Sequence, residues 1–401
     1  MPQYSYRART ADGKEVKGKL RAQTEERATV LLQSHGLVPI DLQIFNDTSL
    51  LHRTVLGGKV NTRDLILFSR QISSMIRAGV PVLQALQALT KQVEKPALHR
   101  LLQEMSYDIE GGEALSIAMT KHPEAFSLFF IGVVRTGEAS GRLSDALGIM
   151  ADYLEQNYFF VRKVRSALMY PAFVLTAVAF VVLLMFIFVV PQLVTLFEEA
   201  QVQLPLPTRI LIIITNAIQG YWYIFGLIAV ALGFLLRSYL KTPEGQYNIS
   251  TWVLRLPLLS KLFTKVYLAR LTSILHTLFS SDVPILESLK LARESLGNRV
   301  YQNILDDTVV AIKDGASISS VWEHEPYIPP MLTTMVSIGE RSGEIEKAFK
   351  EANYFFRRDV EEMLESVTVF LEPLLVIILG IGVGIVVAAV LLPIYNLVLV
   401  L

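Results

Sequence analysis

Residues 76–86 read IRAGVPVLQAL, and residues 279–289 read FSSDVPILESL. Laid over one another at an offset of 203, they set Pro81 on Pro284, Gly112 on Gly315 and Pro123 on Pro326. One deletion later the offset is 202. TGEASGRL (136–143) then meets IGERSGEI (338–345), pairing Gly137-Glu138 with Gly339-Glu340 and Gly141 with Gly343. The same offset pairs Pro171 with Pro373 and Pro191 with Pro393. Landmarks kept in order over about 120 residues mark an internal duplication.

Inside each copy the apolar period is helical. After Asn61, the residues Leu65, Phe68, Ile72, Met75 and Ile76 recur at spacings of three and four. Asn61 is the predicted N-cap, with Asp64 in the first turn favoured by the helix dipole. Gly79 before Val80-Pro81 reads as a helix stop followed by a proline opening the next helix. Further helices are expected near 97–109, 112–120 and 125–136, and a long one from about 142 that continues into an apolar run. Each copy is therefore expected to be an antiparallel bundle of about six helices.

That apolar run, 172–190, is 19 residues without a charge, between Pro171 and Pro191, and 14 of them are Leu, Ile, Val or Phe. As a helix it extends about 29 Å, the thickness of a bilayer core, and favours the membrane by roughly 4 to 8 kcal/mol. The second copy ends in the same way, with 374–392 uncharged between Pro373 and Pro393. A third uncharged run, 210–236, carries Thr215, Asn216, Gln219 and Gly220 in its first part, so its membrane core is expected at 218–236. Basic residues flank the polar regions (Arg162, Lys163, Arg165; Arg237, Lys241; Arg357, Arg358), whereas 191–209 holds one Arg beside Glu198-Glu199. The positive-inside bias places both bundles in the cytoplasm and the C-terminus outside. Two parallel copies need a return crossing between them, which gives the middle run its role.

The rest of the composition mostly excludes. Acids and bases balance at 37 each, so no bulk field points to nucleic acid, while mean hydropathy is +0.43. Without cysteine there is no disulfide, thiolate catalysis or cysteine metal site. The start, MPQYSYRARTADGK, lacks the apolar core of a cleaved signal, so the first domain is expected to stay where it was made. In residues 1–45, YSYRAR and VKGKLRA flank the turn Ala11-Asp12-Gly13-Lys14 as a hairpin would. A short helix around 24–32, ending at Gly36, and a strand over 38–44 complete a small α+β domain.

Glu138 and Glu340, in matching GE-x-SG elements, admit three readings: helix–helix turns, contacts to a basic partner, or paired-carboxylate chemistry. Glycines would supply left-handed conformations, and Ser140 and Ser342 would bond the backbone at the break. The six histidines show neither HExxH nor paired metal spacing. Gly57-Gly58-Lys59 lacks the spacing of a phosphate loop. Gly380 and Gly384 form a GxxxG that allows close helix approach. No span contains Asp, Glu, Lys, Arg or His, which argues against an ion or proton pathway.

KVRSALMYP (163–171), the apolar run ending in VVP (189–191), and the duplicated G-V-P and GE-x-SG elements resemble the signature of the type II secretion system F proteins. That family includes the inner-membrane platforms of type IV pili. The resemblance covers essentially the whole chain, including PIYNL (393–397), although Asp282 stands where the first copy has Gly79. It implies an oligomeric platform in the bacterial inner membrane whose bundles engage a cytoplasmic hexameric ATPase, so that pilins or pseudopilins are lifted into a filament. Other inner-membrane assembly proteins and the lipid bilayer are its remaining expected partners, with no nucleic acid, cofactor, metal or catalytic residue. The competing readings are a small-solute transporter with parallel repeats and a membrane-anchored enzyme.

The expected architecture is thus mainly α and integral to the membrane, with two repeated cytoplasmic bundles, three transmembrane helices and a small N-terminal α+β domain. Its divisions are 1–45 (α+β domain), 46–60 (linker), 61–171 (module 1), 172–190 (span), 191–217 (periplasmic loop), 218–236 (span), 237–373 (module 2), 374–392 (span) and 393–401 (periplasmic tail). The positions expected to carry structure or partner contact are Gly79, Pro81, Gly112, Gly137, Glu138, Gly141, Pro171, Pro191, Pro284, Gly315, Gly339, Glu340, Gly343, Pro373 and Pro393.

Overall fold

The computed structural model describes residues 3–10, 15–21, 25–34, 36–44, 59–184, 220, 223, 227, 228, 230–240, 242–255 and 260–400. The hairpin turn at 11–14, most of the 46–60 linker, the end of the first apolar run, Pro191 with the loop after it, and much of 218–229 lie outside the described residues. The chain divides into two units, one of residues 1–59 with 94–98 and one of 60–93 and 99–401.

In the first unit, strands β1 (Gln3–Thr10), β2 (Glu15–Arg21) and β3 (Leu37–Ile44) form an antiparallel sheet in the order β2-β1-β3. A register shift between Arg7 and Ala8 interrupts the β1–β3 ladder. Helix α1 (Glu25–Ser34) joins β2 to β3, and Gly36 at φ 72° supplies the left-handed residue that turns the chain back. Among its described residues Ala8 and Leu32 are buried and apolar.

The second unit is helical. Module 1 comprises α2 (Thr62–Arg77), α3 (Val82–Gln92), α4 (Pro96–Glu110), α5 (Leu115–Thr120), α6 (Leu128–Ala139) and α7 (Leu143–Leu184). After a short apolar helix α8 (Val230–Tyr239), module 2 comprises α9 (Pro243–Arg255), α10 (Ser260–Ser280), α11 (Ile285–Ser295), α12 (Arg299–Lys313), α13 (Ile318–Trp322), α14 (Pro330–Ser342) and α15 (Ile345–Val400). Helices α10 to α15 answer α2 to α7 one for one. Helix α9 has no counterpart among the described residues; it packs on α10 and α12.

The duplication is visible atom by atom in the turns. Val80 N donates to Met75 O at 3.0 Å, and Val283 N to Leu278 O at 3.1 Å, the same bond at an offset of 203. Gly79 has φ 84°; Asp282, its counterpart, has φ 55° and is the one non-glycine at positive φ among the described residues. An Asp side chain tolerates the left-handed region because it bonds locally, which lets this turn keep its shape without glycine. Pro81 and Pro284 then stand immediately before α3 and α11 as their N-caps. At the α2 start, Asp64 Oδ2 accepts from Asn61 N at 2.7 Å, and Phe68 and Ile72 turn fully into the core.

One helix start shifts, and three prolines stand inside long helices. Helix α5 begins at Leu115 rather than 112, because Gly112 at φ 89° ends the preceding turn; Gly315 at the same angle does this in module 2. Helices α7 and α15 run through Pro171, Pro373 and Pro393 without a break, and α15 continues through PIYNL to Val400. A proline removes one backbone bond and usually ends a helix, but a long helix held on both sides tolerates it, as membrane helices do.

Candidate functional site

Both GE-x-SG elements close the C-terminal end of a helix against the start of the next. Gly137 is helical and its role is proximity: a Cβ there would lie 2.4 Å from the Ala146 Cβ, and one at Gly339 2.6 Å from the Ala348 Cβ. Glycine at these places lets α6 and α14 pass over the first turns of α7 and α15. Gly141 and Gly343, at φ 70° and 74°, make the left-handed reversal. Ser140 Oγ donates to Thr136 O at 2.9 Å, and Ser342 Oγ lies 3.4 Å from Gly339 O.

The two glutamates reach away from these turns. Glu138 Oε1 accepts from Leu115 N at 2.6 Å and its Oε2 from Ser116 N at 3.1 Å. Glu340 repeats this with Ile318 N at 2.6 Å and Ser319 N at 3.1 Å, and takes the Ser319 hydroxyl as well. Each carboxylate thus caps the N-terminus of a short helix with both oxygens, where the free N–H groups and the dipole favour negative charge. In module 1 nothing else serves, because the N-cap residue is Ala114. In module 2, Ser317 also caps, accepting from Ser320 N. The two carboxylates cap helices of separate modules, each with both oxygens engaged. Among the described residues no group of three or more His, Asp or Glu is placed to hold a metal.

A second feature is the seam between the modules. Helix α6 lies on α11 so closely that a Cβ on Gly132 would stand 2.4 Å from Leu291 Cδ1. Beside this contact Arg142, just past the module 1 turn, forms an ion pair with Asp282 of the module 2 turn. Further along, α7 and α15 run side by side in the same direction. Arg357 Nη1 donates to Gln156 O at 3.3 Å, its guanidinium lies 5.3 Å from the Phe160 ring centre, and Lys163 Nζ reaches Glu361 at 2.9 Å and Glu365 at 3.8 Å. Glu365 is the repeat counterpart of Lys163, so the two helices meet at equal heights. Desolvation holds the Arg357 guanidinium below its usual pKa, against the pull of Tyr153 and Glu361.

The expected positions therefore fall into separate roles within this unit. Gly79, Gly112, Gly141, Gly315 and Gly343 are left-handed turns, Pro81 and Pro284 helix starts, Gly137 and Gly339 close approaches, and Glu138 and Glu340 caps. Pro171, Pro373 and Pro393 sit inside long helices. The seam residues Gly132, Leu291, Arg142, Asp282 and Arg357 were not singled out as contacts, since each pairs across 140 residues or more. Gly380, Gly382 and Gly384 of α15 have no neighbouring atom within 4 Å of a built Cβ.

Three segments expose apolar surface in bulk. Phe173 on α7 is 71% exposed, Val230 on α8 75% and Val376 on α15 64%, each among similarly exposed apolar neighbours. The described part of α7 passes the length and composition test for a membrane-crossing helix, and its apolar window is not buried.

The model of the type II secretion system protein F family matches twice, at residues 68–191 and 271–393, and the model of that protein's N-terminal domain matches residues 1–43. The two matches begin 203 residues apart and end 202 apart, the offsets read from the turns. The chain is 33% identical to the type IV pilus assembly protein PilC of Thermus thermophilus, over 99% of this chain and 98% of that protein. It is 32% identical to the type IV pilus assembly protein TapC of Aeromonas hydrophila, over 85% of this chain and 83% of that one. It is 28% identical to the type II secretion system protein F of Xanthomonas campestris, over 99% of both.

Proposed function

This chain belongs to the type II secretion system protein F family, and from that premise we propose that it is an inner-membrane platform on which pilin or pseudopilin subunits are assembled into a filament. The observation that carries the reading is the double family match, each half taking in a helical bundle and the apolar segment after it. In this reading the bundles at 61–171 and 237–373 lie in the cytoplasm with the small 1–45 domain. The chain crosses the membrane at 172–190, 218–236 and 374–392, with 191–217 and 393–401 outside. The exposed apolar segments support the spans, and the basic residues flanking the bundles support the orientation. The parallel course of α7 and α15 supports a return crossing between them, because two helices leaving the same face need the chain to come back in between.

The chemical work belongs to a cytoplasmic hexameric ATPase that engages the bundles and moves the platform. Deleting the gene should abolish filament extension or secretion while the pilin or pseudopilin is still made; filaments of normal number and length in the deletion strain would refute the proposal. Orientation is tested separately, by an alkaline phosphatase fusion at Leu401, expected active, and one near residue 300, expected silent. With Glu138 and Glu340 serving as caps, their charge reversal is expected to loosen the modules before it touches a partner. Loss of ATPase co-purification with both modules still folded would assign them to the interface instead.

A further inference from the structure

The seam between the modules runs one way. Module 1 contributes α6 and module 2 contributes α11. The counterparts of these surfaces are α14 on module 2 and α3 on module 1. In a two-fold arrangement α14 would be covered as α6 is, and it is not. Phe129 and Val133 are buried on α6 together with Gly132, whereas their counterparts Met331, Met335 and Thr334 are more exposed. Met331 is 42% exposed, and Ile338, one turn on, is 62% exposed. Met331, Thr334, Met335 and Ile338 make a single stripe at helical spacing.

We propose that this stripe docks on α3 of a second copy of the chain, repeating between chains the contact that α6 makes with α11 within one. The inference deepens the platform reading, since both copies stand on the same membrane face. Two pairings fit it. Within the chain Leu291 fills the hollow left by Gly132; between copies, Thr334 replaces the glycine and Ala88 replaces the leucine, so the bulk changes sides and the pair still fits. Within the chain Arg142 meets Asp282; between copies Glu344 takes the place of Arg142 and comes to Gly79, two residues from Arg77. Glu344 and Arg77 are both well exposed, paired within the chain with Lys347 at 3.4 Å and Asp145 at 3.6 Å, and on docking they would exchange these partners for a seam pair of reversed polarity. A one-way interface adds copies until a rotation closes. Lys163 meets its own counterpart Glu365, so the operation relating modules has little rise along the helices and leads to a ring rather than a spiral.

The chain has no cysteine, which gives a clean test. Two full-length chains with different tags, one carrying Thr334→Cys and the other Ala88→Cys, are co-expressed and treated in membranes with a short bis-maleimide. A product bearing both tags is expected from the mixed population and from neither variant alone. A chain carrying Arg142→Cys with Asp282→Cys, which couples internally, sets the conditions. Under them, an uncoupled mixed population, or coupling of either variant to itself, overturns the proposal. Native mass spectrometry gives the second readout: Ile338→Glu should reduce the oligomer to smaller species, while Val310→Glu, equally exposed on α12, should not. An unchanged mass for Ile338→Glu counts against the docking. Loss of filaments on deletion without mixed coupling sinks the docking alone; coupling with normal filaments on deletion sinks the platform alone.

Discussion

Module 1 and module 2 share their turns and differ in their cores. In module 1, Phe68, Phe126 and Phe130 stack in a row with ring centres 5.7 and 5.2 Å apart, where module 2 has Leu271, Ile328 and Leu332. In module 2, Trp322, Phe349 and Phe279 cluster at 6.0 and 5.5 Å, where module 1 has Met119, Leu147 and Ile76. Aromatic bulk has been moved from one layer to another while the backbone stayed. What persists between the copies is the set of residues a backbone shape demands: glycine or aspartate at positive φ, proline at a helix start, glycine at a close approach. Cores accept such exchanges when total volume is kept.

The difference can be tested by removing one module's filling at a time. Trp322→Ala should cost about 3–5 kcal/mol, and Met119→Ala about 2–5 kcal/mol. Hydrogen exchange on the full chain should show protection lost in module 2 for the first and in module 1 for the second. Loss in both at once would mean the modules unfold as one unit. Next come the caps: Glu138→Ala and Glu340→Ala should each cost about 1–3 kcal/mol. Glu138→Ala should be the more damaging, because Ser317 remains to cap α13 and Ala114 offers nothing to α5. Thermal melts that reverse this order would break the argument.

A polar difference gives a pH handle. Where Ser73 Oγ donates to Ser144 O at 2.7 Å, module 2 has His276 and Glu346, joined through Ser280 Oγ at 3.2 and 3.1 Å. Burial pushes the His276 pKa below its ordinary 6.5, against the opposite pull of Glu346. The unfolded chain therefore binds this proton first, and stability present above pH 6.5 is lost as pH falls through the folded value. Melting of module 2 should drop with acid in the parent chain and less in His276→Ser, with module 1 unaffected by the substitution. The smallest effect is expected at the seam: a double-mutant cycle on Arg142→Ala and Asp282→Ala should give a coupling of about 0.2–1 kcal/mol, as for other exposed pairs.

The duplication was legible because turns are written locally, and Gly79, Gly141 and Pro81 carry their geometry with them. The Glu138 cap was not, since its partners lie 22 and 23 residues back and only the fold brings them under the carboxylate. Its signal was the separation in the second copy, from Glu340 back to Ser319 and Ile318, 21 and 22 residues, each one shorter because the deletion falls in between. Asp282 read as a departure because glycine holds the matching place in the first copy, and its ion partner, 140 residues away, leaves no local signal. Pro171 and Pro373 marked the start of each apolar run in the sequence, and the long helix expected to continue past Pro171 does so in α7, as α15 does past Pro373.

That continuity has a mechanical side. The described parts of α7 and α15 have 42 and 56 residues, rods of about 63 and 84 Å at 1.5 Å per residue. Each begins inside a bundle and, over its described residues, runs into its apolar segment without a joint, and the two are clasped at Lys163 and Arg357. A turn applied to a bundle is therefore delivered as a twist at the far end of its rod instead of being absorbed in a linker. The torsional soft points are the missing backbone bonds at Pro171 and Pro373, set at matching heights, so that both rods would yield together.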